Sequence, residues 1–166
     1  MPVPGIDAEK IVATLQEHDV AFVVVGGFAV ELWDVAVQPT VDVDITPETS
    51  QENLRRLASA LNDLEAGIRT GSETVPVPGG LTAEMIEQMS VLNLNTIAGP
   101  LDLTILPAGT SGYDDLIEDA SEIAFGEVMV PTASLEDVAR SKEAAGRSKD
   151  LKTLPAIMAH IERMQR

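Results

Sequence analysis

Two linked runs, Phe22-Val23-Val24-Val25-Gly26-Gly27-Phe28-Ala29-Val30 and Thr40-Val41-Asp42-Val43-Asp44-Ile45-Thr46, decide how this chain is read. Val20 to Val25 is dense in β-branched residues and reads as a buried strand that the double glycine ends. Phe28 to Val35 fits a short helix with Phe28, Leu32 and Val35 on one side. Val41 to Thr46 is a second strand, stopped by Pro47. Side chains alternate along a strand, so Asp42 and Asp44 share a face, roughly 7 Å apart by two residue rises. Carboxylates so placed repel unless a cation lies between them, which makes the pair a candidate site for a divalent metal with hard oxygen ligands. Gly26 and Gly27 stand where a helix N-terminus presents backbone N–H groups to phosphate. Metal carboxylates beside a phosphate loop point to phosphoryl or nucleotidyl chemistry.

Outward from this pair of runs, the chain alternates strands and helices. Asp7 opens a helix carrying Ile11, Val12 and Leu15, and Thr49 or Ser50 caps another over 51–64 with Leu54, Leu57, Leu61 and Leu64 inward. Residues 67–80 read as a strand fragment, Ile68-Arg69-Thr70, followed by a loop. Ser90 to Thr96 alternates with period two, turns at Ala98-Gly99-Pro100 and continues through Leu101-Asp102-Leu103 to Leu106, a hairpin signal. Asp102 is either a solvent-face acid of that strand or a third carboxylate meeting Asp42 and Asp44. A second hairpin spans Glu122 to Val130. Ser134-Leu135-Glu136-Asp137 approximates a capping box, Gly146 breaks its helix, and a last helix turns Leu151, Leu154, Ile157, Met158 and Ile161 inward. Pro155 kinks that helix or marks a boundary. This order gives an α/β or α+β domain.

The 166 residues suit one domain, with a core over about 7–130 and a C-terminal helical segment over about 134–166. The interior is aliphatic, because 45% of residues are apolar and only 3% aromatic. With no cysteine there is no disulfide or thiolate ligand. The first five residues lack a basic, apolar leader, and no apolar run approaches the ~20 residues that cross a bilayer. A soluble, cytoplasmic protein without a membrane partner is expected. The net charge of −16 is uneven: residues 138–166 carry a local +4 and residues 1–137 a local −20. Broad nucleic-acid binding needs a basic surface, so a polyanionic substrate must meet the C-terminal segment, a metal or a partner. His18 and His160 fall on surface helical positions, and Trp33 and Tyr113 suit core or rim.

Val25-Gly26-Gly27-Phe28-Ala29, Thr40-Val41-Asp42-Val43-Asp44, Gly99-Pro100-Leu101-Asp102-Leu103, and the segment from Ser134 through Ser141-Lys142 to Arg147-Ser148-Lys149-Asp150 occur in an order that resembles the small bacterial nucleotidyltransferase-fold proteins, including AbiEii-like and MenT-like toxins. The likeness runs over roughly residues 20–155. It implies a polymerase β-like nucleotidyltransferase fold, a mixed sheet flanked by helices with further helices at the C-terminus. It implies Asp42, Asp44 and Asp102 as metal ligands for Mg²⁺ or Mn²⁺ and as catalytic residues together with Lys142. It implies Gly26, Gly27, Lys142, Arg147, Lys149 and Asp150 as the nucleotide-binding set, with Asp150 in a structural, helix-capping role. The substrate is then an NTP, the acceptor a tRNA 3′ end or a protein side chain, and a cognate antitoxin is a partner. Two alternatives stand beside this reading: a small-molecule nucleotidyltransferase of antibiotic type, and a catalytically silent copy that binds a partner. Members often carry basic residues where this chain has Gln38 and Val41.

Overall fold

The computed structural model describes residues 6–166; residues 1–5, read above as lacking a leader, lie outside them. From the N-terminus the elements are α1 (Ala8–Glu17), β1 (Phe22–Val25), α2 (Gly26–Leu32), β2 (Val43–Pro47) and α3 (Gln51–Asp63). The middle holds β3 (Gly67–Thr70), β4 (Glu73–Val75), α4 (Ala83–Gln88), β5 (Val91–Thr96) and β6 (Gly99–Thr104). Then come α5 (Tyr113–Glu118), β7 (Ser121–Phe125), β8 (Val128–Thr132), α6 (Leu135–Ala145) and α7 (Ser148–Met164).

Side-chain caps set the helix starts. Asp7 accepts the Lys10 N–H at 3.1 Å, Ser50 the Asn53 N–H at 3.2 Å, and Ser134 the Asp137 N–H at 3.1 Å. Each such cap satisfies a donor that the helix cannot, and is worth about 1 kcal/mol. Ile11, Val12 and Leu15 of α1 and Leu54, Leu57 and Leu61 of α3 are buried, as their spacing requires. Buried Asn53 ties the start of β1 to the end of β2: its amide donates to the Ala21 and Glu48 carbonyls and its oxygen accepts the Ala21 N–H.

The eight strands form one mixed sheet in the order β4-β3-β5-β6-β2-β1-β8-β7. β2 runs parallel to β6 and β1 parallel to β8, while the remaining pairs are antiparallel. The mixed sheet flanked by helices is therefore present. Phe28 of α2 meets Phe125 of β7 edge to face, with centroids 5.4 Å apart, which pins the turn after β1 against the far edge of the sheet.

Several boundaries differ from the sequence reading. α2 begins at Gly26 itself, because that residue's φ of +63° turns the chain straight from strand to helix. Asp42 precedes β2, and Pro47 is its last residue rather than a stop outside it. The supposed loop after β3 contains β4, which pairs with β3. The hairpin turns on Ile97-Ala98, so Gly99 and Pro100 already belong to β6. α7 runs unbroken through Pro155; the residue whose carbonyl loses its helical donor there, Leu151, is itself half exposed. Of the apolar residues of α7 expected inward, Ile157 and Ile161 are buried and Leu154 packs partly buried on the core, whereas Leu151 and Met158 are half exposed. Among the described residues no helix is long and apolar enough to cross a membrane.

Candidate active site

Sheet register brings the acids together. Val25 at the end of β1 pairs with Asp44 of β2, and Asp44 pairs with Asp102 of parallel β6. Asp42, just ahead of β2, completes the group: one carboxylate oxygen from each of Asp42, Asp44 and Asp102 lies within 4.8 Å of the others. Asp102 is thus the third carboxylate and not a solvent-face acid. Thr40 steadies the approach to β2, its hydroxyl donating to the Asp42 carbonyl at 2.9 Å. Gly26 lies so close to the Asp44 carboxylate that a Cβ there would collide with it, and a Cβ on Gly27 would press on Thr40. Gly26 is therefore required for packing against Asp44, whereas Gly27 abuts Thr40 and no acid.

The electrostatics follow from this crowding. Burial, then the charges of Asp42 and Asp102, push the Asp44 carboxyl up to about 8, with Lys149 acting weakly in the other direction. Burial also raises Asp102, opposed chiefly by a hydrogen bond from Arg69. A hard, all-oxygen donor set that holds excess negative charge is what a divalent cation of the Mg²⁺ or Mn²⁺ kind takes, so these residues fit one.

The acids line a cleft of about 490 Å³, a size suited to a nucleotide. Gly26, Lys142, Arg147, Lys149 and Asp150 line it too, whereas Gly27 does not. Asp150 is 1% exposed and serves as an ion-pair hub: it accepts from Arg147 Nε at 2.6 Å and from Lys142 Nζ at 3.4 Å. It lies inside α7, whose N-cap is Arg147, so the expected helix-capping role is replaced by pairing. Burial opposes ionisation of Asp150, but Arg147 and Lys142 outweigh it and hold its carboxyl below the usual range. Lys149 is exposed and has no ion-pair partner among the described residues.

Other residues take their places around this site. Val41 is 76% exposed and Gln38 is exposed, so neither contributes to the acid cluster. Trp33 donates its indole N–H to the Ala133 carbonyl at 2.9 Å, and both Trp33 and Tyr113 pack on the core. His18 bonds Asp63, and neither it nor His160 lines the cleft. Arg69 and Asn93 escaped the sequence reading. Arg69 donates to Asp102, and Asn93, the β5 partner of Asp102, lines the cleft. Arg69 had one available signal: it is one of only four cations before residue 138.

A family described as nucleotidyltransferase of unknown function (DUF6036) matches residues 6–158. The chain belongs to that family. It is a nucleotidyltransferase, of an enzyme class that uses NTPs and divalent metals. No curated protein matches it. Among solved structures it is similar to the lincosamide antibiotic adenylyltransferase LnuA with lincomycin bound, at TM-score 0.63 and 14% identity over 94% of this chain and 99% of that one. It is similar to ANT(2″)-Ia in complex with adenylyl-2″-tobramycin, at TM-score 0.60 and 14% identity over 93% of this chain and 87% of that one. It is also similar to a putative nucleotidyltransferase from Thermotoga maritima, at TM-score 0.56 and 17% identity over 92% and 90% of the two chains. At these identities the likeness shows the shared fold.

Proposed function

We propose that this cleft transfers a nucleoside monophosphate from an NTP to a hydroxyl acceptor, with Asp42, Asp44 and Asp102 holding Mg²⁺ or Mn²⁺. The observation that carries the reading is the convergence of three carboxylates, from β2, the residue just ahead of it and β6, in a cleft that also holds three cationic side chains. A divalent ion bound there offsets charge on the phosphate oxygens and polarises the α-phosphate.

The chain's own groups do the rest. Lys149, with Lys142 and Arg147 braced by Asp150, binds the phosphates and offsets the charge that develops on the leaving pyrophosphate. Gly26 keeps a side chain out of the space beside Asp44, so the phosphates can come close to the backbone. Asp102 orients the acceptor hydroxyl and takes its proton. The acceptor oxygen forms its bond to the α-phosphorus while the bond from that phosphorus to the bridging oxygen of pyrophosphate breaks. The bonding pair leaves on that bridging oxygen, whose charge the three cations offset.

For the acceptor, the likeness to AbiEii-like and MenT-like toxins supports a tRNA 3′ end or a protein side chain, with an antitoxin as partner. A small-molecule hydroxyl is the second reading, favoured by exposed Val91 and Leu106 on the cleft wall. These apolar groups suit an uncharged face better than a phosphate backbone. The purified protein is incubated with each NTP labelled at the α-phosphate, Mg²⁺ or Mn²⁺, and cell RNA, cell protein or aminoglycoside and lincosamide alcohols. Label in RNA or protein supports the toxin reading, and label in the alcohols supports the second. Metal-dependent label in none of them, with any NTP, contradicts the proposal.

A further inference from the structure

One row of residues crosses the site face of the sheet. Asp44 of β2 pairs with Asp102 of β6, Asp102 pairs with Asn93 of β5, and Leu94 beside it pairs with Ile68, the neighbour of Arg69 on β3. Arg69 reaches over β5 along this row. One arm of its guanidinium donates to the Leu94 carbonyl at 3.0 Å, and the other donates to Oδ1 of Asp102. The pair is largely shielded, with Arg69 23% and Asp102 15% exposed. Among the described residues Arg69 is the one cation that donates a hydrogen bond to the Asp102 carboxylate. The cations that line the cleft, Lys142, Arg147 and Lys149, come from α6 and around α7, which follow β8 on the other flank of the sheet; Arg69 acts from behind Asp102.

We infer that Arg69 is a positioning residue: it fixes the Asp102 carboxylate by one oxygen, leaves the other for the reaction, and offsets one of the three negative charges of the cluster. The inference rests on the nucleotidyltransferase reading of the cleft and adds a residue that the family likeness did not supply. A planar guanidinium anchored on a backbone carbonyl holds a carboxylate's direction as well as its charge, which an ammonium does not. Charge and direction therefore separate by substitution. Removing the charge leaves the cluster with one positive charge fewer beside a divalent cation, so metal binds more tightly. Removing the direction leaves Asp102 free to turn, so transfer slows. Loss of an outer-shell orienting partner costs roughly 10- to 100-fold.

The experiment compares the wild type, Arg69→Gln and Arg69→Lys, with Arg56→Gln on exposed α3 as the charge-loss control. Mn²⁺ affinity is measured by calorimetry without nucleotide, transfer is followed with α-labelled NTP, and melting temperature checks the fold. Arg69→Gln is expected to bind Mn²⁺ about tenfold more tightly while kcat falls roughly 10- to 100-fold and KM for NTP stays within about threefold. Arg69→Lys is expected to bind Mn²⁺ as the wild type does, with kcat still lowered. Arg56→Gln matches the wild type in both. The inference is overturned if Arg69→Gln binds Mn²⁺ no more tightly than the wild type, or if both variants keep wild-type kcat. Metal affinity and kcat falling together with the melting temperature would show a merely structural arginine, and would overturn it too. A wild type that transfers no label defeats the proposed reaction instead, and the Mn²⁺ comparison still decides the role of Arg69.

Discussion

Asp44 concentrates the tension in this protein, because burial and two neighbouring carboxylates oppose its ionisation. Its carboxyl titrates near 8 in the folded chain against an ordinary value of 3.8, so between these values the folded state holds a proton that the unfolded state has released. Without metal, the stability contributed by this group therefore falls as pH rises through that window. Asp44→Asn should remove that dependence and raise the metal-free melting temperature at alkaline pH. It should also cut transfer by at least about a thousandfold, on the scale of losing a group that stabilises charge in the transition state. Thermal unfolding in EDTA over a pH series checks the first, and label transfer checks the second. A lower metal-free melting temperature would mark Asp44 as a structural acid. Asp150 has the opposite sign. Its carboxyl is held below the usual value, so its contribution is complete above the ordinary carboxylate range and is lost as pH falls through the lowered value. Asp150→Asn leaves partly buried Lys142 without its partner and should cost about 2–3 kcal/mol at neutral pH, read by denaturant unfolding. Exposed Arg147 keeps the loss towards the lower end.

Between residues and molecule lie the junctions that aim these groups. The β1–α2 junction depends on Gly26, whose positive φ and lack of a Cβ both serve the close approach to Asp44. Gly26→Ala should therefore reduce both the melting temperature and transfer, whereas Gly71→Ala, at another positive φ but with open space around it, should affect stability alone. Elements with local chemistry were legible in the sequence. Asp7, Ser50 and Ser134 announced their helices, alternation over Ser90 to Thr96 announced the first hairpin, and the apolar run read over Val41 to Thr46 announced the acid-bearing strand, which begins at Val43. β4 was not legible, since Glu73-Thr74-Val75 is three exposed residues with no buried face to impose a period. The inward stripe on α7 was over-read at Leu151 and Met158, because the helix packs through a narrower contact made by Leu154, Ile157 and Ile161. Asp42 and Asp44 could be named in advance because alternation sets them on one face, and Asp102 because it interrupts an apolar strand; the likeness then joined the three. The role of Arg69 could not: its meeting with Asp102 depends on β3 lying beside β5, a pairing that no local spacing records.

For the whole molecule, the uneven charge frames the reaction. A chain with a local −20 over its first 137 residues and a local +4 over the rest offers a polyanion its most favourable approach near the last helices. Transfer to RNA would then be steered by the C-terminal cations and should weaken steeply with added salt, while transfer to an uncharged alcohol should change little. A salt series with both acceptor classes reads this difference. The central claim, attack on the α-phosphate, is tested most directly by running the same NTP labelled once at the α-phosphate and once at the γ-phosphate, with wild type and Asp44→Ala. The account predicts α-label in the acceptor and γ-label in released pyrophosphate, with both lost in Asp44→Ala. γ-label in the acceptor, or transfer that survives Asp44→Ala, would contradict it.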